Sequence, residues 1–121
     1  MQLKFENQES KIRQTHVFYL SYFDFQLQIF NYLCMNAIKQ LITDGKTDEA
    51  IRLLDEYIKK NTSSDEAYYL RGNAYRKKGD VRQALNNYLS AIEINPDSPA
   101  QIAHDALIRI LNFYNKDMYN H

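Results

Sequence analysis

The side chains best suited to proton transfer, nucleophilic attack or soft-metal ligation are His16, His104, His121 and Cys34. Their spacing matches no ligand set and no catalytic pattern. Cys34 has no sequence neighbour that would activate its thiol. His104 adjoins Asp105, but consecutive helical positions face different ways, so His104 reads as a solvated side chain rather than a ligand. The sequence also lacks a glycine-rich phosphate loop, a Cys/His metal spacing and a serine elbow. No catalytic residue, metal or cofactor is therefore expected, and the chain does not read as an enzyme. What its polar residues offer is recognition. Arg71, Arg76, Lys77, Lys78 and Arg82 form a basic cluster with the chemistry to attract an acidic peptide or RNA. The plainer reading is a solvated face, because exposed charges contribute little.

The elements that position these residues belong to a small scaffold. A chain of 121 residues makes one domain and can bury roughly two thirds of its unfolded surface. Lys plus Arg equals Asp plus Glu at 15 each, so no global field points to nucleic acid or an anionic membrane. A single cysteine excludes an internal disulfide and fits a reducing, cytoplasmic setting. Three glycines and two prolines leave little turn material for a β-rich fold, so few, long helices are expected. No run reaches about 18 uninterrupted apolar residues, so a membrane span is not expected.

Residues 1–34 stand apart. They contain no Ala, Gly or Pro and hold five of the six phenylalanines, Phe5, Phe18, Phe23, Phe25 and Phe30. The apolar look is broken by Asp24, Gln26, Gln28 and Asn31, and neither a basic start nor a small-residue cleavage site marks a signal peptide. Three readings stand open. Phe18, Tyr22 and Phe25 share one helical face and, with Phe30 towards its edge, would cap the open end of the following domain. The aromatics would instead form a partner-binding surface. Or the native product begins at Met35, where regular patterning starts, and the segment is translated upstream sequence.

From about Asn36 helical periodicity is regular. Ala37, Ile38, Leu41 and Ile42 form one face that stops at Asp44-Gly45. Thr47, Asp48 and Glu49 open a second helix with an acidic first turn, and Ala50, Ile51, Leu53, Leu54, Tyr57 and Ile58 make its stripe. Ser63 lies three residues before Glu66, a capping-box spacing that opens a third helix. Ala67, Tyr68, Leu70, Ala74 and Tyr75 supply its buried face, and Gly79 ends it. Asp80 caps a fourth helix carrying Ala84, Leu85, Tyr88, Leu89, Ala91, Ile92 and Ile94 up to Asn95-Pro96. Ser98, Pro99 and Gln101 open a last helix, about residues 99–115, apolar on two sides. Ile102, Ala106, Ile110 and Phe113 form one row; Ala103, Leu107, Leu111 and Tyr114 form the other. Two rows suggest a capping helix that also carries a self-association patch.

Gly79 and Ala84 echo Gly45 and Ala50 at an offset of 34 residues, the mark of a repeat. Residues 65–98 resemble a tetratricopeptide repeat, a helix-turn-helix module of that length. Tyr68, Gly72, Tyr75, Ala84, Tyr88, Ala91 and Pro96 fill seven of the family's eight marked positions; Arg71 stands at the eighth, usually Leu. Residues 31–64 are similar but degenerate: Gly45 and Ala50 are kept, while Ile38 and Tyr57 replace small residues. The last helix reads as the first helix of a third unit. The resemblance covers about residues 35–115. It implies an all-α helical-hairpin solenoid of about five helices: a degenerate repeat (35–64), a well-formed repeat (65–98) and a closing helix (99–115).

In this family the first helix of each pair lines a concave groove that grips a peptide. The resemblance therefore implies a partner-binding groove of Lys39 and Ile42, then Tyr69, Asn73, Arg76 and Lys77, then Ala103 and Leu107. Asn73 occupies the place where some members hold a partner's backbone or terminal carboxylate. Met35 and Ala100 stand where the lysines of that carboxylate clamp would be, so chaperone-tail binding is not implied. Tyr69 would make apolar contact, Asn73 backbone hydrogen bonds, and Arg76 and Lys77 contacts to acidic groups; for Tyr69, packing between helices is an equal reading. The function implied is a cytoplasmic protein–protein interaction module for a protein or peptide partner. A structural homodimer through the last helix is the alternative, and an RNA-associated adaptor a weaker one.

Overall fold

The computed structural model describes residues 2–119, and the side chains of residues 21–115. The side chains of His16 and Phe18, and the whole of His121, lie outside the described residues. Five helices follow one another: α1 (Gln2–Thr43), α2 (Thr47–Lys60), α3 (Asp65–Lys78), α4 (Val81–Ile94) and α5 (Ala100–Tyr119). No strand occurs among the described residues, and no helix searched is long and apolar enough to cross a membrane.

The chain divides into two compact units, Met1–Asn36 and Ala37–His121. The first is helical throughout its described length. Tyr22, Phe23, Phe25, Phe30, Tyr32 and Leu33 are all exposed on it. Helix α1 spans the change of pattern near Asn36. The physical reason is the missing punctuation, since no Gly or Pro precedes Gly45 and nothing stops the helix earlier.

In the second unit α2 packs on α3, α3 on α4, and α4 on α5. Both hairpin turns use the same device. Past α1, Gly45 takes φ +86°, with Gly45 N–H donating to Ile42 O and Lys46 N–H to Leu41 O. Past α3, Gly79 takes φ +100°, with Gly79 N–H donating to Arg76 O and Asp80 N–H to Tyr75 O. Each is a left-handed cap that satisfies the last helical carbonyls, and only glycine enters it without strain.

The helix starts follow the polar residues with one shift of register. The Asp80 carboxylate accepts from Gln83 N–H at 3.2 Å, as its position before α4 demands. Before α3 the cap is Ser64, whose hydroxyl accepts from Ala67 N–H at 3.3 Å; Ser63 is one residue too early. Two adjacent serines satisfy the same pattern, and the helix takes the second. The Ser98 hydroxyl accepts from Ala100 N–H at the start of α5.

The core shared by the well-formed repeat and α5 is built from Ala84, Tyr88, Ala91, Ala100 and Leu107, with Tyr68, Tyr75, Leu85 and Ile92 packed around them. A Cβ on Gly72 would lie 2.6 Å from Tyr88 Cε1 and 3.2 Å from Ala84 O. Gly72 and Ala84 are thus the small residues that let α3 and α4 close on the Tyr88 ring. Leu89 and Ile94, expected in the α4 stripe, are instead 50% and 39% exposed. Neither belongs to the buried Ala84–Tyr88–Ala91 row.

Candidate partner-binding site

Asn73 and Tyr69 stand one turn apart on α3, and the last turn of α1 brings Lys39, Ile42 and Thr43 alongside them. Together with Leu70 these residues line a concavity of about 280 Å³. Four of the residues implied for the groove, Lys39, Ile42, Tyr69 and Asn73, therefore come together in one place. Its floor is apolar: Ile42 and Leu70 are buried. Its rim is polar. Lys39 Nζ sits 3.1 Å from the Glu66 carboxylate.

Asn73 is oriented from behind. Tyr88 OH donates to Asn73 Oδ1 at 2.6 Å, which fixes the amide with its Nδ2 as the free donor. Among the described residues Nδ2 donates to nothing. Tyr88 is fully buried, and burial pushes its phenol above its ordinary pKa, so it stays a donor. Its ring also packs on Tyr69, centroids 6.1 Å apart. Tyr69 thus does both things open to it: it packs against the core and lines the concavity.

The remaining implied groove residues fare differently. Arg76 is exposed. Lys77 Nζ donates at 2.8 Å to the Thr43 carbonyl, across a separation of 34 residues, and so ties α3 to the end of α1. Leu107 is corrected outright: only 5% exposed, it is a core residue against α4 and presents no surface to a partner. Ala103 packs beside it on the same core. The physical cause is that α5 turns its Ala103–Leu107 row into α4, the contact that closes the stack. Ala100, one of the two non-lysine clamp positions, is fully buried as well.

The basic cluster also breaks up. Arg71 is a half-buried structural residue: its Nε donates to Asn87 Oδ1 at 2.6 Å, one terminal nitrogen donates to Asp55 Oδ1 at 2.7 Å, and its guanidinium lies 5.2 Å from the Tyr68 ring centre. Lys78 pairs with Asp48 at 2.8 Å, and that hydrogen bond raises its pKa. Arg76 and Arg82 are left as exposed cations outside these contacts. His104, expected to be solvated, has its Nδ1 3.4 Å from Asp105 and a side chain only 21% exposed.

Thr43 and Leu70 are the lining residues the sequence did not mark for the groove. Thr43 had one available signal, since it precedes Lys77 by the repeat length itself. No group of three or more metal-ligating side chains occurs among the described residues.

Antiparallel helical hairpins stacked on tyrosine and alanine, with a concavity on the first-helix side, define a helical-repeat module. A family model, the tetratricopeptide repeat, matches residues 65–98, which span α3, α4 and the turn into α5. The chain is also similar to Bacteroides fragilis protein BF1650, known from a solution NMR structure. The likeness has a TM-score of 0.64 and 56% identity, over 71% of this chain and 88% of that one. No curated protein matches it. The chain belongs to the tetratricopeptide repeat family. Such repeats are in general protein–protein interaction modules and generally not enzymes.

Proposed function

We propose that the concavity between the end of α1 and α3 binds an extended segment of a partner protein in the cytoplasm. One observation carries the reading: Asn73, held by Tyr88 OH, offers its Nδ2 donor beside an apolar floor of Ile42 and Leu70. A partner carbonyl would accept from Nδ2 while a neighbouring apolar side chain settles against Tyr69 at the edge of the Ile42–Leu70 floor. Lys39 is engaged by Glu66 and Lys77 by Thr43 O, so Arg76 is the cation left for an acidic group on the partner.

Asn73→Asp tests this cleanly. It keeps the oxygen that accepts from Tyr88 and removes the amide donor, so the fold is retained while the partner contact is lost. Capture of partners from native lysate is expected with the wild type and not with Asn73→Asp or Arg76→Glu. Identical partner sets for all three proteins, each shown folded by its melting curve, would sink the groove reading.

A further inference from the structure

The face of α5 turned away from α4 carries Ile102, Ile110 and Phe113, which are 76%, 50% and 64% exposed. Ala106 falls between the first two, one turn from each. The Phe113 and Tyr114 rings stand edge to face with centroids 6.1 Å apart. Single exposed apolar residues are ordinary, but a row of this length on one helix marks a contact surface. The repeat offset says what kind. Ile102 and Ala106 lie 34 residues after Tyr68 and Gly72, and Gly72 is the point where α3 meets Tyr88 and Ala84 of α4. On α5 the corresponding side is uncovered, so the face is shaped to receive an antiparallel helix, as α3 receives α4.

We propose that a second copy of this chain supplies that helix, α5 packing antiparallel on α5 across a twofold axis at the level of residue 107, on the side of the helix that carries Ala106. Charge favours self-pairing over a foreign helix. Asp105 and Arg109 are placed symmetrically about that axis, so pairing sets each Asp105 beside Arg109 of the second copy, twice per dimer. Both are exposed, and among the described residues Arg109 has no carboxylate within ion-pair distance. The pair repeats the isologous rule that one patch must complement itself. Ala106 beside the axis lets the two backbones approach closely. A one-helix interface falls below the standard size, so the dimer is weak, with a Kd on the order of 10–100 µM.

Sedimentation equilibrium of the full chain, from about 5 to about 500 µM, brackets that range. The wild type is expected to follow a monomer–dimer equilibrium. Ile110→Glu, at a half-exposed position that tolerates the change, is expected to weaken it at least about 100-fold by burying a charge. Asp105→Arg and Arg109→Asp are each expected to weaken it about tenfold, and mixing the two is expected to restore a heterodimer, because each unlike charge regains its partner. A wild type that stays monomeric throughout overturns the proposal, as does a dimer indifferent to Ile110→Glu. Failure of the mixture to restore pairing overturns the antiparallel arrangement. Association of the face with a different cellular protein while the chain itself remains monomeric would also refute it.

Discussion

Arg71 sits where the repeat family usually has leucine, and its surroundings explain why an arginine is tolerated. Asn87, 4% exposed, is fully satisfied: its Oδ1 accepts from Arg71 Nε and its Nδ2 donates to Gln83 O at 2.8 Å. Asp55 on α2 takes the second guanidinium hydrogen bond, so one side chain links three helices. The whole arrangement is partly solvated, which moderates the charge–charge contribution, but Asn87 is not. Arg71→Leu would restore the commoner residue and strand the Asn87 oxygen. It is expected to cost about 1–3 kcal/mol by urea denaturation. Arg71→Leu combined with Asn87→Leu is expected to cost less than the sum of the two single changes, since both partners of the hydrogen bond are then gone. Strict additivity would show that the two side chains do not act together.

At the scale of the helix, the α3–α4 crossing governs the repeat. Gly72 has no room for a Cβ beside Tyr88, and Ala84, fully buried, contributes the backbone oxygen nearest that space. Ala84→Leu adds three carbons at that crossing and is expected to cost roughly 1–3 kcal/mol, read as a fall in melting temperature. An unchanged transition would show that the helices do not close there. This crossing was legible in the sequence because its determinants are local: small residues and tyrosines at fixed offsets within 34 residues. Gly45, Gly79 and Asp80 were legible for the same reason, since a left-handed cap or an N-cap is dictated by a few adjacent residues. Arg71 was not, because its partners lie sixteen residues away in each direction on other helices. The groove was half legible. Tyr69 and Asn73 follow from their place on α3, whereas Leu107 is removed by the way α5 rotates into α4, a tertiary choice that periodicity alone leaves open between two apolar rows.

At the scale of the molecule, the two proposed surfaces lie on different helices, and their coupling is set by stoichiometry rather than by shape. The concavity uses α1 and α3; the pairing face uses α5 and leaves Asn73 untouched. A dimer formed through α5 carries two concavities, so a surface dense in partner segments can hold both at once while a single soluble segment can hold only one. The second attachment is then governed by effective concentration, which can raise apparent affinity by about 10²-fold with no new contact. A soluble single-segment partner is therefore expected to bind wild type and Ile110→Glu with the same Kd. On a densely coated sensor surface the wild type is expected to dissociate up to about 100-fold more slowly than Ile110→Glu, a gap that closes as the coating is diluted. Asn73→Asp should lose binding in both formats while keeping the dimer. Equal dissociation of wild type and Ile110→Glu from the dense surface, with dimerisation intact, would mean that the two concavities cannot engage one surface together. A loss of soluble binding in Ile110→Glu would instead mean that α5 takes part in the groove, and that the two surfaces are one site.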